Sequence, residues 1–166
     1  MADVAMKYER QGFLNTGTLA VPVWTRIGQG IKEFADSLNP VVDETAYVDD
    51  VAATKTVTGY GPEWTLEFDV IKDGTLTDYI RAIGEGLETG ADAETELVVF
   101  DLWELDEGTD ECPCKKFAVA VKVDSIGGGA GGEKLTGSAT LLGKGDPISG
   151  YFDVTLNEFG TSAGIS

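Results

Sequence analysis

The chain has 166 residues, enough for one domain with a buried core. Its 29 acidic residues outnumber 12 basic ones, and the resulting net charge of −17 disfavours binding to nucleic acid or to anionic membrane surfaces. The absence of histidine removes the commonest general base and metal ligand and excludes a Ser-His-Asp or Cys-His catalytic device within the chain.

The first 15 residues have a mixed composition, and we interpret them as an N-terminal arm. They lack the basic start and apolar centre of a secretory signal, so we expect the protein to be made and folded in the cytoplasm. No apolar run approaches the roughly 20 residues that a membrane helix needs. Residues 21–39 predict one or two strands, which end at Asn39-Pro40 because proline cannot donate to a strand ladder.

A long acidic segment, residues 41–59, separates these strands from the next predicted strand. Ordered domains rarely keep loops of this length without a function. We therefore predict a functional loop, whose central residues are Tyr47, Val48, Asp49, Asp50 and Val51.

Residues 63–70 alternate strictly between polar and apolar side chains. Such a period of two predicts a strand with one buried face and one face in water. The polar positions are Glu63, Thr65, Glu67 and Asp69. A second alternating segment predicts the same arrangement, with the polar positions Lys134, Thr136, Ser138 and Thr140.

One helix is predicted between these strands, with its apolar stripe packed on a sheet. The stripe consists of Leu76, Tyr79, Ile80, Ile83 and Leu87. Thr75 and Asp78 predict a capping box at its start, and Gly90 predicts its end.

The second half of the chain predicts four strands, at 95–105, 117–126, 135–142 and 151–156. The first has a continuous apolar run, which indicates burial on both faces. A loop with reduced Cys112 and Cys114 follows it, and two turns, 127–132 and 143–147, separate the later strands. Residues 159–166 are interpreted as a flexible C-terminal tail. Inside predicted strands, Trp24, Trp64 and Trp103 favour core positions.

No motif predicts catalysis, a cofactor or a metal site. Gly127, Gly129 and Gly132 match GxGxxG, but a strand follows them, whereas a dinucleotide site needs a helix there. Two cysteines cannot complete a tetrahedral zinc site. Among 29 acidic residues, neighbouring carboxylates occur by chance and do not indicate a catalytic pair. We therefore predict that the chain is not an enzyme.

Several segments together resemble the major tail tube protein of long-tailed, non-contractile (siphovirus-type) bacteriophages. The resemblance runs from about Tyr8 to Leu156 and is carried by turns and strand edges. The matching segments are 22–31 (PVWTRIGQGI), 34–40 (FADSLNP), 47–50 (YVDD), 59–64 (GYGPEW), 125–137 (SIGGGAGGEKLTG) and 145–147 (GDP).

The resemblance implies one domain over residues 1–166, mainly β: a β-sandwich with one flanking α-helix and a long inter-strand loop. It implies hexameric rings stacked into a hollow tail tube in the virion, assembled in the host bacterial cytoplasm. DNA would pass through the lumen without specific binding. Tape-measure, tail terminator and distal tail proteins would be partners, and no membrane would be involved.

On this basis, two sets of residues are candidates for function. The candidate lumen face consists of Glu63, Thr65, Glu67, Asp69, Lys134, Thr136, Ser138 and Thr140. The candidate inter-ring loop consists of Tyr47, Val48, Asp49, Asp50 and Val51.

Two other classes of protein remain open. A monomeric β-sandwich binding module, of the adhesin or carbohydrate-binding type, has the same strand content, but the start of the chain lacks a secretion signal and its tryptophans lie at core-like positions. An acid-dependent hydrolase would need two carboxylates that converge in a cleft.

Overall fold

A computed structural model describes residues 3–161, which form a mainly β fold with one helix. The helix, α1, spans Thr75–Glu85. The strands are β1 Arg10–Asn15, β2 Trp24–Arg26, β3 Ile31–Ser37, β4 Pro40–Thr45, β5 Thr54–Tyr60, β6 Glu63–Asp69, β7 Glu94–Asp101, β8 Glu111–Gly128, β9 Thr136–Asp153 and β10 Glu158–Gly160. Within the described residues, no helix is long and apolar enough to cross a membrane.

Eight strands form one antiparallel sheet in the order β2–β1–β7–β8–β9–β6–β3, with β10 paired to β9. The two ends of this sheet approach each other: a Cβ atom added to Gly12 of β1 would lie 2.9 Å from the Phe34 ring of β3. The prediction of a mainly β fold with one flanking helix is therefore confirmed. The two layers expected of a β-sandwich are parts of one curled sheet. Strands β4 and β5 pair only with each other.

The concave side of the curled sheet holds the larger core. The predicted alternation in β6 is confirmed, because Trp64, Leu66 and Phe68 are buried there while Thr65 and Glu67 are exposed. The turn after β2 contributes Ile27, and the other strands contribute Leu14, Phe34, Leu97, Val99, Val119, Val121, Ala139 and Leu141.

Helix α1 covers this core through Leu76, Ile80 and Ile83. Its glycine at position 84 permits close packing on β8, since a Cβ atom there would lie 2.8 Å from the side chain of Val123. The helix therefore lies against the sheet, as its apolar stripe predicts, and a residue of low helix propensity serves a close contact.

Two details of the helix prediction are wrong. The N-cap is Gly74 and makes no side-chain cap; instead, the Thr77 hydroxyl donates to the carbonyls of Ile71 and Gly74. The helix ends at Glu85, before the predicted stop at Gly90, so Leu87 follows it with φ 50° and is 83% exposed.

We expect Ile80→Ala to lower the free energy of unfolding by about 2–5 kcal/mol, because it leaves a cavity beneath α1. Leu87→Ala is the matched control, and its exposed side chain predicts a change within about 0.5 kcal/mol. Denaturant unfolding of both variants provides the measurement. Similar losses from the two substitutions would contradict this packing of the helix.

A second, smaller core lies on the opposite face of β1, β7, β8 and β9. The ring centroids of Phe13 and Phe152 are 4.6 Å apart, and those of Phe100 and Phe152 are 5.2 Å apart. Strand β7 is thus buried on both faces, as predicted. The segment that we assigned to an N-terminal arm includes β1, whose Phe13 and Leu14 contribute to the two cores.

The cysteines belong to this second core, so their prediction as part of a loop is wrong. Cys112 and Cys114 lie two residues apart in β8, on one face, and both are buried and free. The Cys112 Sγ donates to the carbonyl of Asp101 at 3.1 Å. Burial raises the pKa of the Cys112 thiol to about 11 and that of Cys114 to about 12.

Both thiols are therefore expected to resist a thiol reagent at about pH 8, where reaction requires an accessible thiolate. Unfolding in denaturant should make both react, because it removes the burial that raises their pKa values. Rapid labelling of the folded protein would contradict the burial.

The same burial makes the free energy of unfolding depend on pH. The folded pKa values of both thiols lie above the ordinary value of 9.0, so the thiols ionise first in the unfolded chain as the pH rises. The free energy of unfolding is therefore unaffected by these thiols below pH 9 and decreases as the pH rises from 9 towards 11.

Three other predictions for the second half need correction or comment. The predicted turn at 143–147 lies inside β9, because β8 pairs with β9 on both sides of it. Trp103 is 56% exposed, since it lies in a 3-10 turn after β7 ends, whereas Trp24 and Trp64 are buried as predicted. The predicted C-terminal tail begins inside a strand, because Phe159 and Gly160 belong to β10, and residues 162–166 lie outside the described part of the chain.

Candidate functional site

The predicted polar positions form one continuous surface on the outer side of β6 and β9. In the antiparallel register, Thr65 lies opposite Thr140, Glu67 opposite Ser138, and Asp69 opposite Thr136. Residues directly opposite each other share a face of the sheet. This surface, called the polar face below, therefore contains all eight predicted residues, because Lys134 reaches Asp69 with its Nζ 3.4 Å from Oδ2.

Strand β3 extends the polar face with a carboxylate that the sequence analysis missed. Glu33 lies directly opposite Glu67 in the register between β3 and β6. Like charges in this position destabilise a strand pair. A register shift between Ile31 and Glu33 interrupts the alternation of β3, so sequence periodicity does not reveal that Glu33 shares this face.

The charges of the polar face are unevenly compensated. Asp69 has Lys32 Nζ at 3.1 Å and Lys134 Nζ at 3.4 Å, and the hydrogen bond from Lys32 lowers the pKa of Asp69. Within residues 3–161, no cation pairs with Glu33, Glu63 or Glu67. Uncompensated negative charge is therefore concentrated on β3 and β6.

The predicted long loop is a β-hairpin, called the hairpin below, made of β4 and β5 with residues 46–53 between them. All six residues of β4 are exposed. Two-stranded hairpins are only marginally stable by themselves, and this one also exposes apolar side chains on its strands. These are Val41, Val42, Val57 and Tyr60. The hairpin therefore has the exposed apolar surface that is typical of a segment covered by another chain.

The five residues predicted for an inter-ring loop lie at the tip of the hairpin. The backbone N–H of Tyr47 donates to Asp50 Oδ2 at 2.8 Å, and the N–H of Asp50 donates back to the Tyr47 carbonyl at 3.0 Å. This turn presents Tyr47, Val48 and Val51 to solvent, with Val48 and Val51 fully exposed. The structure brings these residues together but shows nothing that they contact.

The described part of the chain has no cluster of three or more Cys, Asp or Glu side chains arranged to hold a metal ion. Its most prominent surfaces are a wet sheet face and an exposed hairpin. Both are extended surfaces, and extended surfaces suit contacts with large partners better than the conversion of a small substrate.

Comparison with known proteins gives a result at the level of structure. No family model matches the sequence, and no curated protein matches it. One similar chain occurs in the tail of an empty GTA particle with C6 symmetry, at 10% identity and a TM-score of 0.56. The match covers 87% of this chain and 97% of that chain.

Two other solved assemblies contain similar chains. One is the six-fold symmetrised baseplate of the anti-feeding prophage (AFP), with 14% identity, a TM-score of 0.51 and coverage of 90% and 97%. The other is the PVC sheath/tube terminator of an extracellular contractile injection system in the extended state, with 13% identity, a TM-score of 0.52 and coverage of 89% and 97%. The chain therefore shares its fold, over most of its length, with proteins found in tail and injection assemblies.

Proposed function

We propose that the chain is a structural subunit of a tail tube: six copies form a ring, and stacked rings form a hollow tube in the tail of a phage-like particle. The observation that carries the proposal is the match to a chain in a C6-symmetric tail, over 87% of this chain. The tube is not an enzyme and needs no cofactor. The resemblance to siphovirus-type tail proteins favours a non-contractile tail.

The polar face lines the lumen in this proposal. The concave side of the sheet is filled by the core and α1, which leaves the outer side of β6 and β9 to form the inner wall of a ring. The carboxylates of Glu33, Glu63 and Glu67 then repel DNA phosphates within about 8–10 Å, which keeps passing DNA away from the wall. DNA therefore passes without specific binding.

The hairpin supplies contacts between rings. Its exposed apolar residues gain stability by burial against another subunit, at roughly 25 cal/mol for each Å² of apolar surface removed from water. Closed rings also pair or cover exposed strand edges, which otherwise invite uncontrolled association. The hairpin is therefore an assembly element.

Other partners act at the ends and in the lumen of the tube. The structural match to a chain in a sheath/tube terminator assembly supports a contact between the last ring and a tail terminator protein. The family resemblance adds a tape-measure protein in the lumen and distal tail proteins at the other end. No membrane takes part in assembly.

Mass measurement by light scattering tests the oligomeric part of the proposal. Concentrated protein should give particles whose mass is a multiple of six 17.6-kDa chains. A monomer at every concentration would contradict the proposal and favour a monomeric binding module. On dilution, the assembled mass should disappear over a narrow range of protein concentration, because each chain in a ring is held by contacts with its neighbours.

A further inference from the structure

Basic residues are scarce in this chain, yet one groove collects a third of them. Of the 12 Lys and Arg residues, four line a groove of about 500 Å³. They are Lys7, Arg10, Arg26 and Lys32, and Glu33 is the one acid in its lining. This basic groove contrasts with a chain that carries a net charge of −17.

The basic groove lies at the seam where the two ends of the curled sheet meet. Its lining comes from the segment before β1, from the start of β1, from β2 and the turn after it, and from β3. Strands β2 and β3 are the edge strands of the sheet, and each has a paired neighbour on one side only. Phe34 and Ile27 form an apolar floor.

Part of the basic charge in the groove is available to a partner. Arg10 pairs with Asp101 at 3.0 Å, and Lys32 pairs with Asp69 at 3.1 Å. Within residues 3–161, Arg26 and Lys7 have no acidic partner, and the Lys7 Nζ lies 5.1 Å from the centre of the Phe34 ring. The groove therefore offers two unpaired cations above an apolar floor.

The hairpin has the complementary composition. It carries Asp43, Glu44, Asp49 and Asp50 against a single base, Lys55, and it exposes Val48 and Val51 beside the acids of its tip. A groove of about 500 Å³ lies within the ~300–1,000 Å³ range of pockets that bury small ligands. It therefore has room for the few side chains at the tip.

We infer that the basic groove of one copy binds the acidic hairpin tip of a second copy. This inference rests on the proposed function and names the two surfaces that join subunits. Groove and hairpin are different surfaces of the same chain, so their contact is head-to-tail. Such contacts generate closed rings or open filaments, which is the kind of growth that a tube requires.

Charge reversal on each surface tests the pairing. The groove variant is Lys7→Glu with Arg26→Glu, the two cations that lack an acidic partner. The hairpin variant is Asp43→Lys with Asp49→Lys, which spares Asp50 because its carboxylate holds the tip turn. Asp43 lies opposite Thr56, so its reversal places no like charge across the strand pair.

Neither variant alone should form tubes. The groove variant sets a net negative groove against the acidic hairpin, and the hairpin variant sets a net positive hairpin against the basic groove. A mixture of the two variants should form tubes, since each groove again meets a hairpin of opposite charge. The combined four-fold variant should also assemble, for the same reason. The control Lys72→Glu with Lys115→Glu has the same net charge as the groove variant and changes two exposed lysines outside the groove, so it should assemble normally.

The outcomes separate this inference from the proposed function. Tubes from wild-type protein and from both reversed variants would overturn the pairing of groove and tip but leave the tube intact. Two inactive variants that fail to restore each other would also overturn it. Wild-type protein that forms neither rings nor tubes would overturn the proposed function itself.

Discussion

A chain that lacks Tyr47–Val51 should fold normally and form no tubes. These residues lie at the exposed tip of the hairpin and belong to neither of the two cores. Their removal therefore leaves both cores intact but takes away the apolar and acidic surface that we propose contacts the neighbouring ring. We expect the assembled fraction to fall below detection by electron microscopy.

Circular dichroism and cooperative thermal unfolding establish that the shortened chain is folded. A milder pair of substitutions provides the matched control: Val48→Ser should weaken assembly, whereas Leu87→Ser, which also changes an exposed apolar side chain, should not. Normal tubes from the deletion variant would remove the hairpin from the assembly.

The second large effect concerns DNA passage. Glu67→Lys should still assemble, since residue 67 is exposed on the polar face. The subunit should gain about 0.2–1 kcal/mol in stability, because the substitution replaces a like-charge pair with Glu33 by an opposite-charge pair. Repeated around every ring, the new ammonium groups attract phosphates, so DNA ejection should slow or stall.

The measurement is the efficiency of DNA ejection from particles whose tails look normal by microscopy. Glu107→Lys makes the same charge change at an exposed turn outside β6 and is the matched control. Glu67→Gln removes the like-charge pair without adding a cation, so it should leave ejection close to normal. Wild-type ejection by the Glu67→Lys particles would place this face outside the lumen.

Strand β6 shows how far the sequence leads. Its strict alternation predicts both the buried side and the polar side, and pairing with β9 puts the predicted polar residues of both strands on one face. This works because a strand with one face in water has apolar side chains at every second position. The role of the polar face depends on contacts between copies of the chain, and such contacts produce no periodic pattern in the sequence.

Strand β9 shows where local signals mislead. Residues 143–147 contain glycine, aspartate and proline, which are typical of turns. In the structure, Lys144 and Ile148 both pair with β8, and Gly145, Asp146 and Pro147 lie opposite Phe117 as a bulge. The bulge accommodates the positive φ of Gly145 and the absence of a backbone N–H at Pro147. Whether this segment forms a bulge or a turn depends on its pairing with β8, which local sequence signals do not show.

The hairpin was missed for a related reason. Residues 41–59 are acidic and lack alternation, because β4 is exposed throughout and β5 nearly so. A strand without a buried face has no pattern to detect. The basic groove was also hidden, since its cations are separated by up to 25 positions and meet only when the sheet curls. Surfaces made by tertiary approach cannot be read from spacing along the chain.

Whether the chain forms a tail tube can be seen by electron microscopy of purified, concentrated protein. We expect hollow tubes, or rings at lower concentration, and six-fold symmetry in end views. Class averages should show one hairpin from each subunit in contact with the adjacent ring. Featureless particles of single-chain size at every concentration, with correct folding shown by circular dichroism, would contradict the proposed tail tube.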